Sequence, residues 1–239
     1  MAQTKINNLF FIAIIHLIST QFSYGQKTEI NFNAYSGLFS FRGDGSSSTS
    51  WINFNPYTSP DKYTSNPYGK KSEFSYALEL QGQRVTKNKN IYGLGISFET
   101  LTSKVNIDTV AQNGFLYWQY SASGKTTLKN TFVTLNPFVG HRYSYRKITF
   151  DLLAGFDLAF CLKSKEVGNA TTNNKDYVTV INNKTKPSID FRPRIQVKAQ
   201  INKFGFLAGY SLGLTNYQTH NNLKAYTSFL RLGLSYQLK

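Results

Sequence analysis

The sequence predicts an all-β fold: an eight-stranded antiparallel up-and-down transmembrane β-barrel behind a removable leader. Three observations predict it. Eight stretches alternate apolar and polar residues with a period of two. Their connectors run long, short, long, short, long, short, long. Aromatic residues make up 15% of the chain and charged residues only 16%, where a soluble domain carries about 25% charge. The mean hydropathy of −0.34 does not conflict with this fold, because only alternate residues of a barrel strand face lipid.

Residues 1–25 read as a secretory signal peptide and 26–239 as one barrel domain. Lys5 supplies the positive start, Leu9 to Ile18 form an apolar run broken only by His16, and Ser23 and Gly25 are the small residues before Gln26. That run is about 10 residues, half of the roughly 20 that a spanning helix needs.

The first strand, Glu29 to Phe41, starts with Ile30, Phe32 and Ala34 in one phase and continues with Tyr35, Phe39 and Phe41 in the other. A bulge near Ser36–Gly37 is expected to reconcile them. In the second, Phe74, Tyr76, Leu78 and Leu80 alternate with Ser75, Ala77, Glu79 and Gln81. In the third, Tyr92, Leu94, Ile96 and Phe98 alternate with Gly93, Gly95, Ser97 and Glu99. In the fourth, Val133, Leu135, Pro137 and Val139 alternate with Thr134, Asn136, Phe138 and Gly140. The fifth, Lys147 to Leu162, is the longest, with every even position from Ile148 to Leu162 apolar and Asp151 and Asp157 on the other face. The sixth runs Ile189 to Ile201, the seventh Phe204 to Leu214 and the eighth Tyr226 to Leu238, each in the same pattern.

Short connectors at Thr86–Lys89, Ser144–Arg146 and Asn202–Lys203 are expected on the periplasmic side. The longer ones, Gly43–Ser72, Val105–Lys129, Ser164–Lys186 and Asn216–Lys224, are expected outside. The apolar face should meet lipid. The other face carries glycine, serine and alanine (Gly93, Gly95, Gly155, Gly205, Gly209, Gly233), which suits a narrow, filled interior. Tyr92, Tyr143, Phe204 and Tyr236 at one end, and Phe98, Phe160 and Tyr226 at the other, fit aromatic girdles. Pro137 and Pro193 sit mid-strand without a donor, each expected to mark a local bulge.

Leu135-Asn-Pro-Phe-Val-Gly-His-Arg-Tyr143, the leader and the final strand Phe229 to Lys239 resemble the small outer-membrane barrels of Bacteroidota, the PorT-like group, and more loosely OmpA- and OmpX-type barrels. The resemblance implies a plugged interior, location in the cell outer membrane and a secretion-associated role in the envelope.

Inward charges are the richest constellation. Glu79, Glu99, Asp151, Asp157 and Asp190 share a phase with Arg142, Arg192, Arg194, Lys198 and Arg231, and are expected to pair across the interior. A catalytic reading finds little support. After the leader only His141 and His220 remain; Ser144 adjoins the first and Thr219 the second, with no acid nearby in sequence. Ser123-Gly-Lys-Thr-Thr127 lacks the first glycine of a phosphate loop, Arg42-Gly-Asp44 reads as a solvated turn, Cys161 as a packing residue, and no cluster has metal-ligand spacing. The expectation is a non-enzyme with no catalytic, cofactor-binding or metal residues and no cofactor. The mature chain has 26 basic against 12 acidic residues, and an exported chain seldom meets nucleic acid. Outer-membrane lipids with anionic head groups are the expected partners, with an envelope or secretion protein as a further one. Arg84, Lys87, Lys89, Arg146, Lys147, Lys203 and Lys239 mark the periplasmic rim. Lys163, Lys165, Lys175, Lys184 and Lys186, against Glu166 and Asp176, mark the third outer loop. Tyr57, Tyr63, Tyr68, Tyr117, Trp118 and Tyr120 give the first two loops contact area. A small-solute channel, a lipid-modifying barrel and a soluble carrier with reversed faces remain the alternatives.

Overall fold

A computed structural model describes residues 27–55, 59–112, 118–173, 175–182, 187–218 and 222–239. The predicted leader, with Tyr57, Tyr117, Lys184, Lys186 and His220, lies outside these. The described strands are β1 (Lys27–Arg42), β2 (Thr49–Asn55), β3 (Ser59–Thr64), β4 (Lys71–Val85), β5 (Asn90–Gln112), β6 (Trp118–Tyr145), β7 (Ile148–Thr171), β8 (Asp176–Asn182), β9 (Ile189–Ile201), β10 (Phe204–Leu212) and β11 (Tyr226–Gln237). Antiparallel pairing links β1, β4, β5, β6, β7, β9, β10 and β11 in that order, and β11 pairs back onto β1. Eight long strands therefore close into a ring whose members are the eight predicted ones.

Period-two burial holds along the ring. Phe150, Leu152, Phe156, Phe160 and Leu162 face outward while Asp151 and Asp157 are fully buried. The same holds for Ile189, Phe191, Ile195 and Val197 against Asp190, Arg192, Arg194 and Lys198. The outward apolar run on β7, Phe150 to Leu162, is about 40 Å long at ~3.3 Å per residue. Tilted about 45°, it covers roughly 28 Å of height, close to the ~25 Å apolar band of a membrane barrel. Phe204 and Tyr236, their rings 5.1 Å apart, stand with exposed Tyr92, Tyr143 and Tyr145 at the end of the three tight turns. Those turns fall at the predicted places, with Lys89, Arg146 and Asn202 each in the left-handed region.

Four expectations need correction. The second and third long connectors are mostly strand: β5 runs on to Gln112, β6 begins at Trp118, β7 continues to Thr171 and β8 pairs back onto it. The first connector contains β2 and β3, and β2 pairs with β5 in parallel because the chain leaving β1 keeps its direction, which is also that of β5, and turns back only at β3. The result is an upper storey on the long-connector side, with its own apolar core of Ile52, Val105, Ile107, Val110, Ala170 and Tyr177. Third, β1 has no bulge at Ser36–Gly37. Its register with both neighbours is continuous, and its apolar residues simply change face, from Ile30 and Phe32 outside to Tyr35, Phe39 and Phe41 inside.

Fourth, neither proline shifts the register. Beside Pro137 the Asn136 side-chain amide donates to the Phe156 carbonyl at 3.1 Å, giving the ladder a donor where proline has none. Pro193 sits where the β9–β10 ladder ends, below Phe191, which bonds onward to Leu214 and Thr215. The shift in the β6–β7 pairing lies instead between Thr131 and Phe132, where Leu162 on β7 is the extra residue. Beyond it the phase inverts, so Lys163, Lys165 and Val167 face out and Ser164, Glu166 and Gly168 face in.

Candidate functional site

Inside the ring the predicted charges meet, in tiers. Nearest the tight turns, Arg142 bonds Asp151 through Nε at 2.6 Å and Glu29 through Nη1 at 2.8 Å. Lys198 reaches Asp151 at 3.3 Å, and Gln83 donates to Glu29 at 2.8 Å. In the middle, Arg194 bonds Glu79 at 2.9 Å and Asp157 at 3.4 Å, and Arg231 bonds Asp157 at 2.9 Å. The Tyr35 hydroxyl donates to Glu79 at 2.8 Å, and Asn33 donates to both Glu79 and Gln81. Above them Arg192 bonds Glu99 at 2.6 Å. Asp190 accepts from the hydroxyls of Thr227 at 2.8 Å and Tyr217 at 3.2 Å. Isolated, each charge would be costly to bury; paired and hydrogen-bonded, each is tolerated. Glu29 escaped the sequence reading, although it shares the inward phase of Asn31 and Asn33 on β1.

Aromatic rings complete the filling. Arg231 lies over Phe229 at 4.6 Å, Arg192 over Phe132 at 5.2 Å and Arg194 over Tyr35 at 5.4 Å. Above the ionic tiers Phe39, Phe41, Tyr68, Tyr217 and Phe229 pack edge to face, with centroids 5.1–6.4 Å apart, and cap the interior. Interior glycines make room for these rings rather than for water. A Cβ on Gly37 would lie 2.8 Å from the Phe229 ring, one on Gly233 2.8 Å from Tyr35, and one on Gly93 would overlap Phe138.

The upper storey brings together a different set. Thr64 donates its backbone N–H to Glu166 at 2.7 Å, and its hydroxyl shares a 2.8 Å bond with Thr126. This ties the first long connector to the walls of β6 and β7. Glu166, expected as a surface acid of the third connector, is therefore buried, as is Tyr68, which joins the cap. Trp51, Tyr63, Trp118, Tyr120, Val178 and Val180 are exposed on the storey. Lys163 and Lys175 are exposed too.

At the opposite end Lys87, Lys89, Arg146, Lys147, Lys203 and Lys239 are exposed around the turns, with Arg84 half-buried. His141 Nδ1 meets Asn90 Oδ1 at 3.0 Å and its ring lies against Tyr143, not beside an acid. The Ser123–Thr127 stretch is extended strand within β6. Arg42 and Asp44 act as struts: Arg42 donates to the Gly213 carbonyl at 2.8 Å and lies over Tyr226, while Asp44 accepts the Lys224 amide at 2.8 Å. That bond holds the Asp44 carboxyl below its ordinary range. Among the described residues no group of three His, Cys, Asp or Glu side chains could hold a metal.

No family model matches the chain, and no curated protein matches it. Solved structures with a similar course include Neisserial surface protein A (NspA), 9% identical over 89% of this chain and 98% of that one, at a TM-score of 0.37. The translocator domain of autotransporter NalP from Neisseria meningitidis is 8% identical over 98% and 96%, at 0.22. A Pseudomonas aeruginosa FadL homologue is 8% identical over 90% and 91%, at 0.21. Likenesses this loose leave the burden on pairing and burial, and these establish an all-β ring that is apolar outside, ionic inside and aromatic at one mouth.

Proposed function

We propose that the protein is an integral outer-membrane β-barrel of eight spanning strands, closed to solutes and without catalytic activity, that works as an interaction protein of the cell envelope. One observation carries this reading: every strand of the ring contributes to an outward apolar band, and the charges are paired within. A soluble carrier barrel would do the reverse, and an outward face this apolar is stable only against acyl chains. The tiers and the aromatic cap fill the space that a channel would leave open. The upper storey, rigid and studded with Trp51, Tyr63, Trp118 and Tyr120, is the working surface, and the basic rim at the turns anchors the other end to anionic head groups. Resemblance to the PorT-like group favours an envelope secretion complex as the setting.

Photo-crosslinking in intact cells from Trp118 and, separately, from Lys203 tests the assignment. A discrete envelope protein captured from Trp118 supports it, whereas capture from neither position removes the interaction role.

A further inference from the structure

Just above the outer end of the apolar belt, one outward face of β4, β5, β6 and β7 carries Lys71, Lys104, Lys125, Lys129, Lys163 and Lys165. The register sets Lys71 directly opposite Lys104, and Lys129 directly opposite Lys165. Directly opposed residues hold their Cβ atoms about 4.5–5.5 Å apart, and like charges so placed destabilise a sheet. Among the described residues, the carboxylate that reaches this face is Glu73, 3.0 Å from Lys104. Among the described residues no carboxylate pairs with Lys129, Lys163 or Lys165, and Lys125 shares the field of Glu73 with Lys104. A barrel that pairs its interior charges so thoroughly has left a block of cations unpaired on its wall. Immediately below them on the same strands, Phe74, Tyr76, Phe98, Phe160 and Leu162 are exposed.

We infer that this face is a binding site for a phosphorylated glycolipid of the outer leaflet, its acyl chains on the aromatic belt and its sugar phosphates bridging the Lys129–Lys165 and Lys71–Lys104 pairs. The inference rests on the outer-membrane reading and deepens it. A ligand for this face must be amphiphilic, because the cations continue directly into the belt: Lys163 follows Leu162 in the chain. It must also be multiply anionic and compact, because the two repelling pairs lie in adjacent rows of one wall. A diphosphorylated glucosamine lipid meets both demands, and a singly charged glycerophospholipid meets only the first.

The test uses the purified full chain in neutral detergent. Native mass spectrometry is run with bis-phosphorylated lipid A, with the same lipid dephosphorylated, with phosphatidylglycerol and with inorganic phosphate. Flotation on phosphatidylcholine vesicles is run in parallel. The expected result is flotation, retained adducts with phosphorylated lipid A alone, and a loss of about tenfold or more in retention for Lys129→Gln/Lys165→Gln. That variant should also unfold later than wild type in lipid-free detergent, since it relieves a repulsion, so failure to fold cannot mimic the result. Flotation with equal retention of dephosphorylated lipid, or unchanged retention in the variant, overturns the site and leaves the membrane reading standing. Retention of inorganic phosphate without the lipid overturns it as well. A chain that does not float overturns both.

Discussion

Arg194 shows how the interior is built one side chain at a time. Its guanidinium joins Glu79, Asp157, Tyr35 and Gln196, groups from four strands. Arg194→Met leaves Glu79 and Asp157 short of a partner in a buried interior, and should cost about 3–5 kcal/mol, read by urea unfolding in micelles. Glycines divide by what they face. Gly93→Ala pushes a methyl into Phe138 and should cost about 1–3 kcal/mol; Gly82→Ala, with open space around its added carbon, should stay within about 0.5 kcal/mol. Asp44 links two outer connectors through the Lys224 amide, and that bond lowers its carboxyl. The charged form is thus favoured in the fold, so the contribution is present above the ordinary carboxylate range and lost as pH falls through the lowered value. The protection factor of the Lys224 amide, taken against the intrinsic exchange rate at each pH, should fall on acidification, and Asp44→Ala should lower it at neutral pH.

At the scale of the strand, legibility depended on contrast. Where a strand separates an apolar exterior from an ionic interior, apolar and polar residues alternate sharply, and β9, β10 and β7 as far as Leu162 could be read from the sequence with little error. In the upper storey one side meets water and the other a small core, and both are furnished with Thr, Ser, Asn and Lys. Thr126 and Asn130 point inward on β6 while Thr127 and Lys129 point outward, so the pattern fades and the segment reads as loop. On β5 the apolar residues move from Leu94, Ile96 and Phe98 outside to Leu101, Val105 and Ile107 inside with the register to β6 unbroken, the extra residue at that level lying on β4. The same exchange on β1 imitates a bulge. Glu166 was misjudged for this reason: a strand passing from the apolar belt into the storey reverses its chemistry, and sequence alone reads the reversal as an end; Tyr68 lies between β3 and β4, where no periodicity marks its inward turn. Replacing 108–122 by a short turn should take Val110 from the storey's core and most of β2's pairing edge from β5, yet leave the ring intact. Heat-modifiable migration on unboiled gels should persist while Trp118 fluorescence is lost with its segment.

For the molecule as a whole, the ion tiers and the aromatic cap govern behaviour. Glu29, Glu79, Glu99, Asp151, Asp157 and Asp190 are set against Arg142, Arg192, Arg194, Lys198 and Arg231, so the chain's basic surplus sits on the wall and the rims rather than in the bore. Planar-bilayer recordings of the purified protein should show no stable unit conductance. Removing the cap with Phe41→Ala/Tyr217→Ala should not open one, since the ionic tiers below remain. The candidate site was legible in part: the alternation exposed the inner charges, but the lysine wall depended on pairing partners far apart in the chain.

Leu162, the single extra residue of β7, stands outside the pairing with β6. A codon lost there would leave every face as it is: inward Cys161 would run straight into outward Lys163, and β7 would pair with β6 without its bulge. Tolerance to single-residue deletion, ordinarily lowest within spanning strands, should therefore peak at this one position, and a deletion scan along β7 would find it as a narrow permissive point between two intolerant stretches.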